Sequence, residues 1–129
     1  MVNKKSRLLV LKHPFVLAFK KKGTGLYSLI GGNIEPFESA SEALIRESKE
    51  EADINLNVND FIFIGTTKYQ KQEVLHERNY YLLKDNNRKF KLKEVEKFDT
   101  LEWIDFYDNQ RRFKSSDRKV IEKVFKEQL

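Results

Sequence analysis

The sequence predicts an α+β fold, a mixed β-sheet sandwiched between α-helices. Short segments of branched and aromatic residues bounded by turn residues dominate residues 7–30 and 61–106. Helical spacing of apolar residues is found in two places, 39–52 and 117–128. Strands and helices do not alternate strictly, which argues against a doubly wound parallel sheet.

Residues 7–12 and 15–20 are rich in Leu, Val and Phe, and His13-Pro14 separates them as a turn. Glycine and lysine make 20–25 a loop, and 27–30 is a further short strand ending at Gly31-Gly32. Ser39 followed by Glu42 forms a capping-box pattern, so a helix is expected over 39–52. Residues 61–64 and 66–72 read as strand with Gly65 as a bulge, and 74–84 as strand ending in the turn Asp85-Asn86-Asn87. The charged segment 90–99 fits neither pattern. A strand around Trp103 is expected over 101–106, and Val120, Ile121, Val124 and Phe125 make 117–128 an amphipathic helix. With no composition break, repeat or low-complexity segment, residues 1–129 are expected to form one domain.

Composition narrows the function classes. Forty per cent hydrophobic residues, ten of them Phe, suffice for a core, and the 35% charge is mixed in sign, so disorder is not expected. The absence of cysteine excludes disulfides and thiolate metal sites. Lys and Arg exceed Asp and Glu by 25 − 20 = 5, an excess that suits anionic partners but equally serves solubility. Lys4, Lys5 and Arg7 before Leu8–Leu11 imitate a signal peptide, but Lys12, His13 and Pro14 end the apolar run. That run is far below the roughly 20 residues a membrane helix needs. A cytoplasmic protein with no membrane association is expected.

On a helix at about 100° per residue, Glu51 lies roughly 40° to one side of Glu47 and Glu50 roughly 60° to the other. The three carboxylates share a face beside a stripe of Leu44, Ile45, Ser48 and Ala52. Like charges at i,i+4 cost a few tenths of a kcal/mol in a plain surface helix. A hard divalent cation would reverse that sign. By geometry alone, a metal site and a solvated acidic face remain alternatives.

The approach loop adds a pattern. Residues 32–54 run Gly-Asn-Ile-Glu-Pro-Phe-Glu-Ser-Ala-Ser-Glu-Ala-Leu-Ile-Arg-Glu-Ser-Lys-Glu-Glu-Ala-Asp-Ile. This resembles the Nudix box: a Gly, five residues, a Glu, seven residues, Arg-Glu, an apolar residue, any residue, Glu-Glu, any residue, Gly and an apolar residue. Gly32, Glu38, Arg46, Glu47, Glu50, Glu51 and Ile54 fall on its positions. Ser48 stands where the box has a bulky apolar residue and is expected to hydrogen-bond back into its own helix. Asp53 replaces the usual glycine at the helix end, where a left-handed residue is expected. Phe37 also stands where many relatives have glycine.

The resemblance implies a Nudix fold and a MutT-like hydrolase that cleaves a nucleoside diphosphate linked to another group, with Mg²⁺ or Mn²⁺. It implies that Glu47, Glu50 and Glu51 hold the metal with help from the Gly31 carbonyl. Arg46 would orient a box glutamate, and Glu38 would brace the loop. Some relatives supply a further carboxylate downstream; of Glu94, Glu96 and Asp99, Glu96 is selected. The partner would be a nucleotide-type small molecule, with no stable nucleic-acid partner and either a monomer or a homodimer.

Tyr27, Phe37, Tyr69, Tyr80 and Tyr81, and the lysines at 20–22, are candidate substrate contacts, although packing accounts better for each aromatic. His13 and His76 show no triad or metal spacing. The competing functions are a Nudix-fold nucleotide-binding regulatory module with little or no turnover, and an RNA-binding protein using its basic surface.

Overall fold

The computed structural model describes residues 1–128. Its elements are β1 (Val2–Leu9), β2 (Leu11–Lys12), β3 (Phe15–Lys21), β4 (Tyr27–Ser28), β5 (Ile30–Asn33), α1 (Ala40–Ala52), β6 (Phe61–Lys71), β7 (Val74–Leu83), β8 (Phe98–Asp105) and α2 (Ser115–Gln128). One sheet has the order β5-β1-β7-β6, with β1 and β7 parallel and the other pairs antiparallel. In the second sheet β3 pairs antiparallel with β2, β4 and β8. The chain passes from the first sheet to the second between β1 and β2, and returns between β4 and β5.

Alternation along the strands divides the core in two. Leu8, Val10, Leu17, Phe19 and Ile30 pack with Leu44 and Ala52 of α1. Their neighbours Leu9, Leu11, Val16, Ala18 and Leu29 pack with Ile121, Val124 and Phe125 of α2. With both faces buried, these strands read as continuous apolar runs. The expected sheet between helices is thus present, and its period of two is visible residue by residue.

Several boundaries differ from expectation. β1 begins at Val2, because residues 2–6 are held by ladder bonds to β7, and residues 5–6 to β5 as well, rather than by apolar burial. The two expected segments form one strand, Phe61–Lys71, whose register shifts between Phe63 and Gly65, the expected bulge, and Gln72 belongs to the turn that follows. Most of the ambiguous segment 90–99 is irregular and crosses the end of α1. There the Lys91 and Lys93 amides donate to the Ala52 and Glu51 carbonyls at 2.9 and 3.1 Å, satisfying helix-terminal acceptors. Among the described residues, no helix is long and apolar enough to cross a membrane.

Candidate active site

The acidic helix is fixed at both ends. The Glu42 amide donates to Ser39 Oγ at 3.1 Å and the Ser39 amide donates to Glu42 Oε1 at 2.9 Å, a complete capping box. Ser6 Oγ on β1 donates to the Ala40 carbonyl at 2.6 Å, tying the first turn to the sheet. At the other end Asp53 adopts the left-handed conformation, φ 53°. Lys49 Nζ meets its carboxylate at 2.9 Å. The expected back-bond of Ser48 does not form: its side chain is fully buried and its hydroxyl has no partner. The serine occupies a core position where a hydrogen bond is missing, so it costs stability.

Two glycines let the strand approach this helix. Gly31 has φ 136°, and a β-carbon there would stand 2.0 Å from the Ser6 carbonyl oxygen. At Gly32 a β-carbon would stand 2.6 Å from the carboxyl carbon of Glu47. The first glycine is required by the backbone, and the second by the carboxylate lying against it. Phe37, in contrast, holds φ 67° with its ring fully exposed, a strained position without a compensating contact.

Arg46 organises the acidic residues. Its Nε and Nη2 donate to the two oxygens of Glu38 at 2.8 and 2.9 Å, and Nη2 also donates to the Asn33 carbonyl at 3.0 Å. Nη1 reaches Glu47 at 3.0 Å and Glu50 at 3.4 Å. One planar fork therefore clamps the loop to the helix and orients two box glutamates. The hydrogen bonds from Arg46 hold the Glu38 carboxyl below its ordinary range, and Glu38 in turn stabilises the arginine cation.

Glu51 lies deeper, with 5% of its surface exposed. Its Oε1 accepts from the Gly31 amide at 2.8 Å. Burial pushes its pKa up to about 8; the Gly31 bond and Arg7 oppose this, while the charges of Glu47 and Glu94 add to it. Glu47 and Glu51 line a cleft of about 380 Å³ that also exposes Lys5, Arg7, Lys21 and Lys97. Two carboxylates and four cations thus face one space, an arrangement suited to a polyanion carrying a divalent cation.

Other expected site residues stand elsewhere. Glu50 is half exposed and faces Arg46 rather than the cleft. The Gly31 carbonyl accepts from Arg7 Nη1 at 3.0 Å, because β1 and β5 pair Arg7 with Gly31. Glu96 is exposed in the turn before β8 and does not line the cleft. Glu94 instead sends its charge towards Glu51, with Oε1 buried without a partner and Oε2 on Lys97 at 3.2 Å. Tyr27, Tyr80 and Tyr81 are core residues. Of the lysines at 20–22, Lys21 lines the cleft. His13 packs against Tyr107 and Phe125, and His76 stacks on Tyr69. Sequence reasoning missed Arg7, Lys5 and Lys97. The one available signal was Arg7, a charge at the head of an apolar strand.

Among the described residues, no three Asp, Glu or His side chains form a ready-made metal cage. The donors nevertheless fit a hard divalent cation. Carboxylate and carbonyl oxygens are what Mg²⁺ prefers, Glu51 is a buried carboxylate with one amide donor, and Glu94 keeps an unpartnered buried oxygen. Adjacent buried carboxylates that destabilise one another are relieved by a cation.

The family model of the NUDIX domain matches residues 1–124. No curated protein matches the sequence. Among solved structures, a MutT NUDIX hydrolase from Burkholderia pseudomallei is similar at 19% identity, covering 96% of this chain and 98% of that one, with a TM-score of 0.80. The E. coli dihydroneopterin triphosphate pyrophosphohydrolase aligns at 20% identity over 95% and 92% of the two chains, TM-score 0.71. A C. elegans Ap4A hydrolase aligns at 18% over 95% and 94%, TM-score 0.68. At these identities the likeness shows a shared fold.

Proposed function

Because this chain belongs to the NUDIX family, we propose that it is a divalent-metal-dependent pyrophosphohydrolase. Its substrate would be a nucleoside diphosphate linked to another group, the simplest being a nucleoside triphosphate or a modified one, and its compartment the cytoplasm. The observation that carries this reading is Glu51: a nearly buried carboxylate held at about 8, sharing a cleft with Glu47 and four cations.

Glu47 and Glu51 would hold Mg²⁺ or Mn²⁺, and Glu50 and the Gly31 carbonyl would join them by giving up their bonds to Arg46 and Arg7. When bound, the cation supplies charge that neutralises pyrophosphate oxygens and acidifies the attacking water. Lys5, Arg7, Lys21 and Lys97 draw the phosphates into the cleft. Water attacks phosphorus in line, a cleft carboxylate, Glu47 or Glu51, accepts its proton, and the bridging P–O bond breaks as the other phosphate group leaves with the bond's electron pair. Arg46 positions Glu47 and Glu50 through its contacts at 3.0 and 3.4 Å. Glu38 and the Asn33 carbonyl keep that guanidinium in place.

A second reading, a nucleotide-binding module without turnover, is favoured by one observation: Glu47 and Glu50 are both engaged by Arg46 rather than converged for a metal. A hydrolysis screen over nucleoside triphosphates, modified triphosphates and nucleotide sugars separates the two. The hydrolase reading expects a substrate split with Mg²⁺ or Mn²⁺ and untouched in EDTA, and the identity of both products locates the attacked phosphorus. Metal-independent binding with no turnover across the screen supports the module instead.

A further inference from the structure

Beyond the carboxylate cleft, a second and larger groove of about 940 Å³ lies between the first sheet and the start of α2. Its walls carry Lys5, Lys68, Lys71, Arg78, Lys114 and Lys119, and no Asp or Glu. Lys5 lines both this groove and the carboxylate cleft, so the two adjoin at that side chain.

Strand register explains the arrangement. Lys5 pairs with Asn33 on β5 and with Arg78 on β7, and Arg78 pairs with Thr67 on β6. Directly paired residues point to the same face. A polar row, Asn33–Lys5–Arg78–Thr67, therefore crosses the sheet from the strand bearing Gly31 to the far edge. Three strand spacings make this roughly 14 Å.

The cations in this groove are poorly compensated. Arg78 is 3% exposed, yet its guanidinium reaches the carbonyls of Asn3 and Glu77 and the ring of His76, with no carboxylate among its hydrogen-bond partners. Among the described residues, Lys68 is the groove cation with an acidic partner, Glu77 at 3.7 Å. Asp117, a buried acid whose charge acts on Arg78 and Lys114, accepts from the Tyr80 hydroxyl at 2.6 Å. Burial, reinforced by Arg7, Arg78, Lys114 and Lys21, brings Lys5 down to about 8, and Lys114 and Arg78 are pushed down as well. Six crowded cations thus face two nearby acids, Glu77 and Asp117, and under-compensated, partly desolvated cations destabilise the free protein. A bound anion removes that penalty.

We propose that this groove is a phosphate-binding subsite for groups outside the scissile anhydride, so that the substrate is a small oligophosphate ester: a nucleotide with a longer phosphate chain or a second phosphorylated end. The assignment of substrate class rests on the hydrolase reading; the anion site does not. A nucleic-acid strand fits less well, because its bases need open aromatic faces. Tyr69 and His76 stack on each other at 4.7 Å and 6°, and Arg78 lies over the Tyr69 ring.

The test is calorimetric titration of the whole protein in EDTA at low salt with inorganic tripolyphosphate, pyrophosphate and orthophosphate. Tripolyphosphate is expected to fill one site at least about tenfold more tightly than orthophosphate, with an affinity that falls steeply with salt. Replacing the exposed Lys71 and Lys119 together (Lys71→Gln, Lys119→Gln) is expected to weaken that binding about tenfold and flatten its salt dependence, whereas Lys126→Gln, in the last turn of α2 and outside the groove, leaves it unchanged. Equal affinities for the three anions, or an unaltered double variant, would overturn the subsite. A 5′-triphosphorylated oligonucleotide that binds ten times more tightly than tripolyphosphate would overturn the small-ligand assignment. In turnover, the lysine double variant should raise KM for a nucleoside tetraphosphate more than for a diphosphate and leave kcat unchanged; an equal effect on both would refute the substrate class. Because the binding arm contains no metal and needs no turnover, it stands or falls independently of the hydrolase reading.

Discussion

Replacing Glu51 by Gln should make the metal-free protein more stable while abolishing its response to metal. Glu51 is 5% exposed and held at about 8, against 4.5 for a free glutamate. The folded chain therefore keeps a proton that the unfolded chain releases. The stability this group contributes is complete below pH 4.5 and is lost as pH rises through about 8. At pH 7 the loss amounts to roughly 3 kcal/mol, taking 1.36 kcal/mol per unit of separation. Gln keeps an oxygen for the Gly31 amide and never ionises, so the variant escapes this loss. Urea denaturation in EDTA between pH 5 and 9 reads the difference directly: the two proteins should coincide near the acid end and diverge steadily above it. Mg²⁺ should restore the wild type, because it binds the ionised form and stabilises by mass action, and should do little for the variant. A variant no more stable than the wild type at pH 8 in EDTA would mean that the folded chain does not hold a proton on Glu51.

Other substitutions probe the supports of the site. Gly32→Ala sets a β-carbon 2.6 Å from the Glu47 carboxyl carbon; the flexible side chain yields, so circular dichroism should be unchanged while metal-dependent turnover falls at least about tenfold. Ser48→Ala removes a buried hydroxyl that has no partner and should raise stability by about 1 kcal/mol in thermal or urea denaturation; a loss of stability would mean that the hydroxyl is satisfied. Arg46→Lys forfeits the paired bonds to Glu38 and should lower kcat by about 10- to 100-fold with little change in folding, as steady-state kinetics would report.

What was legible in the sequence is what local chemistry decides. Ser39 and Glu42 lie three residues apart and form the box that spacing implies, and Asp53 takes the left-handed turn that its place at the helix end demands. Alternating burial reproduces the apolar runs of β1 and β3. The rest depends on register and loop path. Lys5 and Arg7 reach the cleft because β1 is central in its sheet, and no local signal gives its partners. Glu94 rather than Glu96 turns towards Glu51 because the loop before β8 is fixed by the bonds from Lys91 and Lys93 to the end of α1. Two residues of difference decide which side chain faces inward, and composition does not register it. The unpartnered Ser48 hydroxyl is illegible for a related reason: whether a buried hydroxyl finds a partner depends on neighbours supplied by other elements.

If the carboxylates of α1 carry metal-dependent hydrolysis of a pyrophosphate bond, removing two of them must stop turnover. Turnover of the best substrate from the screen, measured at saturating Mg²⁺ for the wild type and for the Glu50→Gln, Glu51→Gln double variant, tests it most directly. The double variant, folded by circular dichroism, is expected to lose at least about 1,000-fold in kcat, on the order of the several kcal/mol that metal-borne charge stabilisation supplies. Full activity in that variant would contradict it.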